Sequence, residues 1–364
     1  MRAPAACGTV GRVSDQRPEP DGGPPVPREP VRRRRVRYRG THPRRFEEKY
    51  KEHAPERFPE EAAKAIERGG TPAGSHLPVM VDEVLLALDP QPGQVVLDAT
   101  LGYGGHAARI AERLLPGGRL VGLDRDGEEL ARTAERLSAA GLPVVARHAS
   151  HAAAAQELRA LGITAVDAVL ADLGCSSMQI DRPERGFSFK HDGPLDLRMD
   201  RSRDEPAAAW LAAADRETIA RLLAEHGEEP DADAVAREIR RRAHVGAPVT
   251  TTWDLVAVVL AAKGLPGPRW RRPDPYTPHP AARTFQALRM HVNREHEHLA
   301  AFLRDLPWIV RPGARVAVLT FHEGEERPVR RALAEGAAAG WWTAPPGEPR
   351  RPSPEETRTN PRSR

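Results

Sequence analysis

The chain has 364 residues, of which 40% are hydrophobic and 29% charged, enough apolar content to pack one large domain or two smaller ones. No apolar run approaches the ~18 residues needed to cross a bilayer, and arginine and proline stand where a secretory leader would have its apolar segment, so a cytoplasmic protein without a membrane partner is expected. Two cysteines, Cys7 and Cys175, exclude a disulfide framework and a cysteine metal site, while the net charge of +4 hides an asymmetry: residues 1–70 hold 17 basic against 11 acidic side chains.

Residues 1–70 therefore read as a basic arm rich in proline and arginine, with no fixed structure expected over residues 1–30 and a charged helical pattern from about Phe46 to Arg68. Its stretch "VRRRRVRYRGTHPRRFEEKYKEH" suits an arm that neutralises phosphates and stacks on bases, and equally a solvated leader. Periodic sequence begins near His76. Strand-like runs follow at Val95–Ala99, Arg119–Leu123, Val144–Arg147 and Ala168–Ala171, separated by helical stretches, which predicts an α/β fold with a mostly parallel sheet. A fifth run, Arg315–Phe321, comes only after a long interval of helical patterns such as "PAAAWLAAADRETIARLLAEHG" and "ADAVAREIRRRA". That interval is too long for one crossover and predicts an all-helical subdomain, residues 181–283, inserted between two parts of a sheet domain, residues 71–180 and 284–364.

The first two strands enclose "DATLGYGGH", where Gly102, Gly104 and Ala107 loosely fit a dinucleotide fingerprint. Asp98, however, would stand beside a dinucleotide's pyrophosphate, and like charges in a partly dry crevice repel by several kcal/mol at an effective dielectric of ~20. S-adenosylmethionine reverses that sign: Asp98 would meet its cationic methionine end and Asp124 its ribose diol. Asp126 reads as a solvated helix-start residue, and an N-cap is the plain alternative for Asp98.

After the fourth strand, "VLADLGCSSMQIDRPERGFSFKHDGPLDLRMD" runs from Asp172 into a Gly, Cys and Ser loop and then through Arg185, Phe187, Phe189 and Arg198. The acceptor group is expected at Asp172, RNA phosphates at Arg185 or Arg198, and a clamped base at Phe187; Phe189 is better placed as an anchor of the inserted domain. Arg289 is a further candidate for binding RNA.

These pieces in combination resemble the ribosomal RNA small subunit methyltransferase H family over about His76 to Arg364: "HLPVM..DEV", "DATLGYGGH", "LDRD", "DLGCSS.Q.D..ERGFSF...GPLD.RMD", "GEE", "HPAARTFQALR..VN.E" and "TFH..E.R.V.R". The resemblance implies a class I S-adenosylmethionine methyltransferase fold, Rossmann-like, with an inserted helical domain. It also implies methylation of the exocyclic N4 of a cytosine in the decoding region of small-subunit RNA, within the 30S subunit or a late assembly particle, and is compatible with a homodimer. By the family's pattern Gly104, Gly105, His106, Asp124, Asp172 and Gln179 contact the cofactor. Three departures stand out: His151, a further expected cofactor contact, falls where the family has an aromatic residue for stacking on the adenine, Glu323 follows Phe321-His322 where the family has serine, and "NPRSR" closes the sequence where relatives continue into one more strand.

For N4 transfer, Asp172 or a carbonyl of the Leu173–Gly174 turn is expected to accept an N4 hydrogen and steer the lone pair, since alignment can supply most of the rate. His322 either assists, binds RNA, or is a satisfied structural histidine. Two rival readings are a cytosine C5-methyltransferase with Cys175 as nucleophile, and an RNA-binding or assembly protein without turnover. His291, His296 and His298 lack the i,i+4 spacing of a helical metal pair, so no metal is expected.

Overall fold

The computed structural model describes residues 78–267, 277–343 and 349–359. The basic arm and the helical pattern expected over Phe46 to Arg68 lie outside the described residues.

Five strands form one all-parallel sheet: β1 (Val95–Asp98), β2 (Arg119–Asp124), β3 (Val144–His148), β4 (Val166–Asp172) and β5 (Val310–Leu319), in the order β3-β2-β1-β4-β5. The central strands β1, β2 and β4 are near-continuous apolar runs because helices cover both faces. One face sends Val96, Leu120, Ala168 and Leu170 into a core with helices α1 (Val81–Leu88), α2 (Gly105–Arg113) and α3 (Gly127–Ala139). The alternate residues Leu97, Val121, Leu123, Val169 and Ala171 meet α4 (Ala154–Ala160) on the other face. Each leucine so enclosed contributes roughly 1.5–3 kcal/mol relative to exposure. The chain winds outward from β1 through β2 to β3, then returns to β4 on β1's other side. Strand order therefore reverses between β1 and β4, which opens a crevice at their C-terminal ends.

A short helix α5 (Ser177–Asp181) leaves β4, and the chain then builds the insertion from α6 (Ala207–Ala213), α7 (Arg216–Gly227), α8 (Ala232–His244), α9 (Thr252–Ala262) and α10 (Ala282–Val292). In α8, Ala232, Val235, Ala236 and Ile239 recur at helical spacing and are buried, while Arg237 and Arg241 are exposed. Asp215 caps α7 by accepting from the Thr218 amide at 2.7 Å, and Thr251 with Asp254 makes a capping box on α9. The insertion's apolar core includes Phe285, Ala287, Leu288 and Val292 of α10. It thus extends past the boundary expected at residue 283, because α10 buries its apolar stripe against α7 rather than against the sheet. The following helix α11 (Glu295–Ile309) returns to the sheet through Leu299, Phe302 and Leu306, and α12 (Glu323–Ala338) and α13 (Pro354–Thr359) complete the described chain. No helix among the described residues is long and apolar enough to cross a membrane.

Candidate active site

The crevice at the β1–β4 reversal has a volume of about 530 Å³ and is lined by Asp98, His106, Asp124, His151, Asp172 and Gln179, with Arg289, Glu295 and Glu325 on its helical side. Asp98, 1% exposed at the end of β1, accepts a hydrogen bond from the Thr100 amide at 3.1 Å. Burial pushes its carboxyl up to about 7, the Thr100 amide opposes that, and the Asp124 charge adds to it.

Two glycines shape the turn between β1 and α2. Gly104 is left-handed (φ 68°), and a Cβ there would stand 2.8 Å from Thr133 Cγ2; at Gly105 it would stand 2.3 Å from Pro78 Cγ. Close packing on both sides of the turn, rather than approach to a pyrophosphate, thus accounts for these glycines. Asp124 sits opposite the turn, where its two oxygens accept from the amides of Gly102 (2.6 Å) and Asp126 (2.7 Å). Burial raises it to about 6 against those two amides.

Asp172 ends β4. Its pKa is pushed up to about 7, chiefly by burial and then by the negative charges of Asp98 and Glu325. Its Oδ1 has no hydrogen-bond partner, and neither does either ring nitrogen of His106, whose pKa burial pulls down to about 4. His151 is likewise held neutral by burial, at about 3, with an unpartnered Nε2 and its ring edge-on to Phe302.

On the helical side, Arg289 forms a two-point bridge with Glu295 at 2.9 Å for each bond and reaches Cys175 Sγ at 3.4 Å. It lines the crevice with its charge already neutralised by Glu295. Glu325 accepts from the Phe321 amide at 2.9 Å and lies 3.2 Å from His322 Nε2; burial would raise its carboxyl, yet His322, that amide and Arg289 together hold it below the usual range. His322, the N-cap residue of α12, thus faces Glu325 rather than the middle of the crevice.

Several expected roles change. Arg185 is 1% exposed; it pairs with Asp126 at 2.7 Å and donates to the carbonyls of Arg198 and Met199, which removes it from the reach of a phosphate. Arg198 grips Asp196 through two bonds of 2.6 and 3.1 Å and donates to the carbonyls of Arg201 and Asp204, so its fork is also taken. Phe187 packs on the insertion's apolar core instead of standing ready for a base, and Phe189 stacks on His279 in the same region. Gln179 reaches the crevice, but its amide completes the α5 capping box with Ser176 and donates to Asp126 at 3.1 Å. Asp126 is 3% exposed and caps α3, not solvated as expected. The sequence reading missed Arg125, Glu295 and Glu325, whose only signal was membership of the "LDRD", "VN.E" and "TFH..E" strings. His296 lines the crevice, His291 tilts against Trp210 and His298 meets His151 edge-on; among the described residues no group of three ligating side chains could hold a metal ion.

Acidic side chains outnumber the two arginines in the lining, and both arginines already have carboxylate partners. A cationic ligand with hydroxyls to donate fits such a surface, and a pyrophosphate does not. Together, the all-parallel β3-β2-β1-β4-β5 sheet, the carboxylates ending β1, β2 and β4, and this charge balance define a class I S-adenosylmethionine-dependent methyltransferase. The chain belongs to the MraW methylase family, which it matches over residues 73–364. It is 41% identical to ribosomal RNA small subunit methyltransferase H 1 of Lachnoclostridium phytofermentans over 94% of this chain and 93% of that protein. It is also 41% identical to methyltransferase H 2 of Alkaliphilus metalliredigens, over 92% and 96% of the two chains. With methyltransferase H of Nitratidesulfovibrio vulgaris the identity is 43%, over 77% and 76%.

Proposed function

We propose that the protein methylates the exocyclic N4 of a cytosine in the decoding region of small-subunit ribosomal RNA, in the cytoplasm, on a 30S subunit or a late assembly particle. The observation that carries this reading is the unpartnered, buried Oδ1 of Asp172 at the end of β4, inside a crevice built for a cation. S-adenosylmethionine, when bound, supplies a methyl group already activated by its sulfonium. Asp98 would stabilise the positive charge, and Asp124, fixed by two backbone amides, would accept from the ribose diol.

An aromatic amine is a weak nucleophile because its lone pair is delocalised into the ring, so the contribution asked of the protein is alignment. Asp172 accepts one N4 hydrogen and directs the lone pair. After transfer the methylated amine is acidic, and a carboxylate titrating near 7 is matched to take that proton at neutral pH. His106, neutral and unpartnered beside it, presents a hydrogen-bonding group to the same space without adding charge.

The C5 alternative requires Cys175 as a thiolate nucleophile, and RNA enzymes of that kind typically place a second cysteine after the fifth strand, where this chain has Thr320-Phe321-His322. The deciding experiment incubates the protein with methyl-labelled cofactor and small subunits from a strain lacking the enzyme, then analyses nucleosides by mass spectrometry. N4-methylcytidine is expected; 5-methylcytidine, or no incorporation with cofactor bound, would overturn the reading.

A further inference from the structure

Three consecutive residues, Asp124, Arg125 and Asp126, stand at the end of β2. All three line the crevice, and Arg125 and Asp126 in addition hold the insertion. The Arg125 guanidinium donates through Nη1 to the carbonyl of Asn293 and pairs through Nη2 with Asp204 Oδ2 at 2.9 Å. Asn293, 0% exposed at the end of α10, uses its side chain to accept from the Met199 amide at 2.7 Å and to donate to the carbonyls of Leu197 (2.7 Å) and Arg289 (2.8 Å). Asp126 reaches the same stretch through Arg185, which donates to the carbonyls of Arg198 and Met199. His148, at the end of β3, adds a third tie: its Nε2 lies 2.9 Å from the Arg125 carbonyl and 3.3 Å from Asp200.

The stretch gripped in this way, residues 197–204, includes Leu197 with φ 65°, a left-handed conformation that a leucine adopts only where its surroundings over-determine it. Bonds from Asn293 and from the Leu197 amide to the Arg185 carbonyl at 3.0 Å supply that determination. A cluster needed only for cohesion could be apolar, since replacing a buried ion pair with well-packed apolar groups is often neutral or stabilising. Charged and directional bonds instead fix register between two bodies. Here one of the bodies starts one residue from the carboxylate assigned to the cofactor's ribose.

We propose that Arg125 is a positioning residue that couples the cofactor end of the crevice to the RNA-handling insertion: occupation of Asp124 further stabilises, through Arg125, the bonded arrangement of residues 197–204, and that arrangement favours RNA binding. This rests on the function proposed above for its RNA half alone; the mechanical half concerns the cofactor and the insertion. By linkage, RNA must tighten cofactor binding by the same factor.

The test uses the full-length protein with Arg125→Gln, Arg125→Lys and Asp204→Asn, each checked for folding by its melting temperature. Hydrogen exchange of residues 197–204 is followed with and without S-adenosylhomocysteine, and RNA affinity is measured in both states with small-subunit ribosomal RNA. In the natural protein the ligand slows exchange in that stretch and tightens RNA binding by about 5- to 50-fold, within the usual range of coupling between sites. In Arg125→Gln both effects fall below about twofold and kcat falls. Asp204→Asn, which disturbs the same clamp from the insertion side, shows the same pattern. Arg125→Lys, able to reach Asp204 but not both partners, is intermediate. Full coupling in a folded Arg125→Gln protein overturns the proposal, as does a loss of activity that only follows the melting temperature. If the natural protein fails to methylate the RNA while the ligand still protects residues 197–204, the proposed function falls and the coupling stands.

Discussion

His106 Nε2 lies 3.8 Å from Asp172 Oδ2, and neither ring nitrogen of His106 nor Oδ1 of Asp172 has a hydrogen-bond partner. Burial holds the imidazole neutral and the carboxyl raised, so this pair is a polar surface facing the crevice rather than a salt bridge. Leaving polar groups buried and unpaired costs roughly 1–3 kcal/mol each, which a protein retains where a ligand completes the bonds. Asp172→Asn is therefore expected to keep or raise the melting temperature while lowering turnover by about 100-fold, the lower end for removal of an acid–base group. Steady-state kinetics and thermal denaturation on one preparation check this; near-normal turnover would remove Asp172 from the reaction.

The pH dependence of cofactor binding follows from Asp98 and Asp172, both near 7, and Asp124, near 6. In the folded apo protein these carboxyls hold protons that the unfolded chain releases above about pH 4, so they favour folding in acid and lose that contribution as pH rises through 6 to 7. His106 and His151 act in the opposite sense, since their folded values of about 4 and 3 lie below the unfolded value of 6.5. Stability thus reflects opposing contributions, but affinity for a cation has one sign because only the ionised carboxylates attract it. The dissociation constant for S-adenosylmethionine should fall as pH rises from about 5.5 and level off only about one unit above 7, with protons released on binding. Calorimetry in buffers of different ionisation enthalpy measures the release, and Asp98→Asn should flatten the profile. A flat profile in the natural protein would contradict the carboxylate assignment.

The centre of the sheet was legible because β1, β2 and β4 are apolar runs buried on two faces, and the placing of Asp98, Asp124 and Asp172 at strand ends was legible because each closes such a run. Arg185 was misread for a physical reason: sequence displays a charge but not the Asp126 carboxylate that comes to meet it from another strand's end. Asp126 was misread with it. The end of the insertion was placed too early because α10 has an apolar stripe that would suit either core, and only packing shows that α7 receives it. Glu295 and Glu325 stand in the first turns of their helices, and nothing local announces that both act on Arg289.

Cys175 lines the crevice and accepts from Arg289 Nη1 at 3.4 Å. N4 transfer forms no bond between enzyme and base, so Cys175→Ala should retain activity within about threefold, an effect under about 1 kcal/mol in the barrier. RNA substituted with 5-fluorocytidine should form no covalent adduct with the natural protein. A trapped adduct that disappears in Cys175→Ala would establish C5 chemistry instead.

Gly105 tests the packing account of the glycine turn. A methyl group there would meet Pro78 Cγ at 2.3 Å, and the proline ring cannot swing away as a flexible side chain would. Gly105→Ala should lower stability by about 1–3 kcal/mol, the usual range for overpacking, and weaken cofactor binding because the turn and Asp124 share the Gly102 amide. Denaturant unfolding gives the first quantity and calorimetry the second; unchanged values for both would show that the Pro78 side of the crevice yields readily.

With Arg185 and Arg198 engaged in the fold, phosphate binding must come from elsewhere, and the excess positive charge lies in residues 1–70. Each phosphate that the protein ceases to neutralise reduces the slope of log affinity against log salt by about 0.7–0.9. Deleting residues 1–70 should therefore weaken RNA binding and flatten its salt dependence by at least one such step, with cofactor affinity preserved. Arg185→Ala should behave differently: it strands the buried Asp126 carboxylate, so stability drops by about 3–5 kcal/mol, while the salt slope of whatever remains folded stays the same. Filter binding across a salt series on the three proteins separates the two effects. An unchanged slope after deletion would place the phosphate-binding groups within residues 71–364.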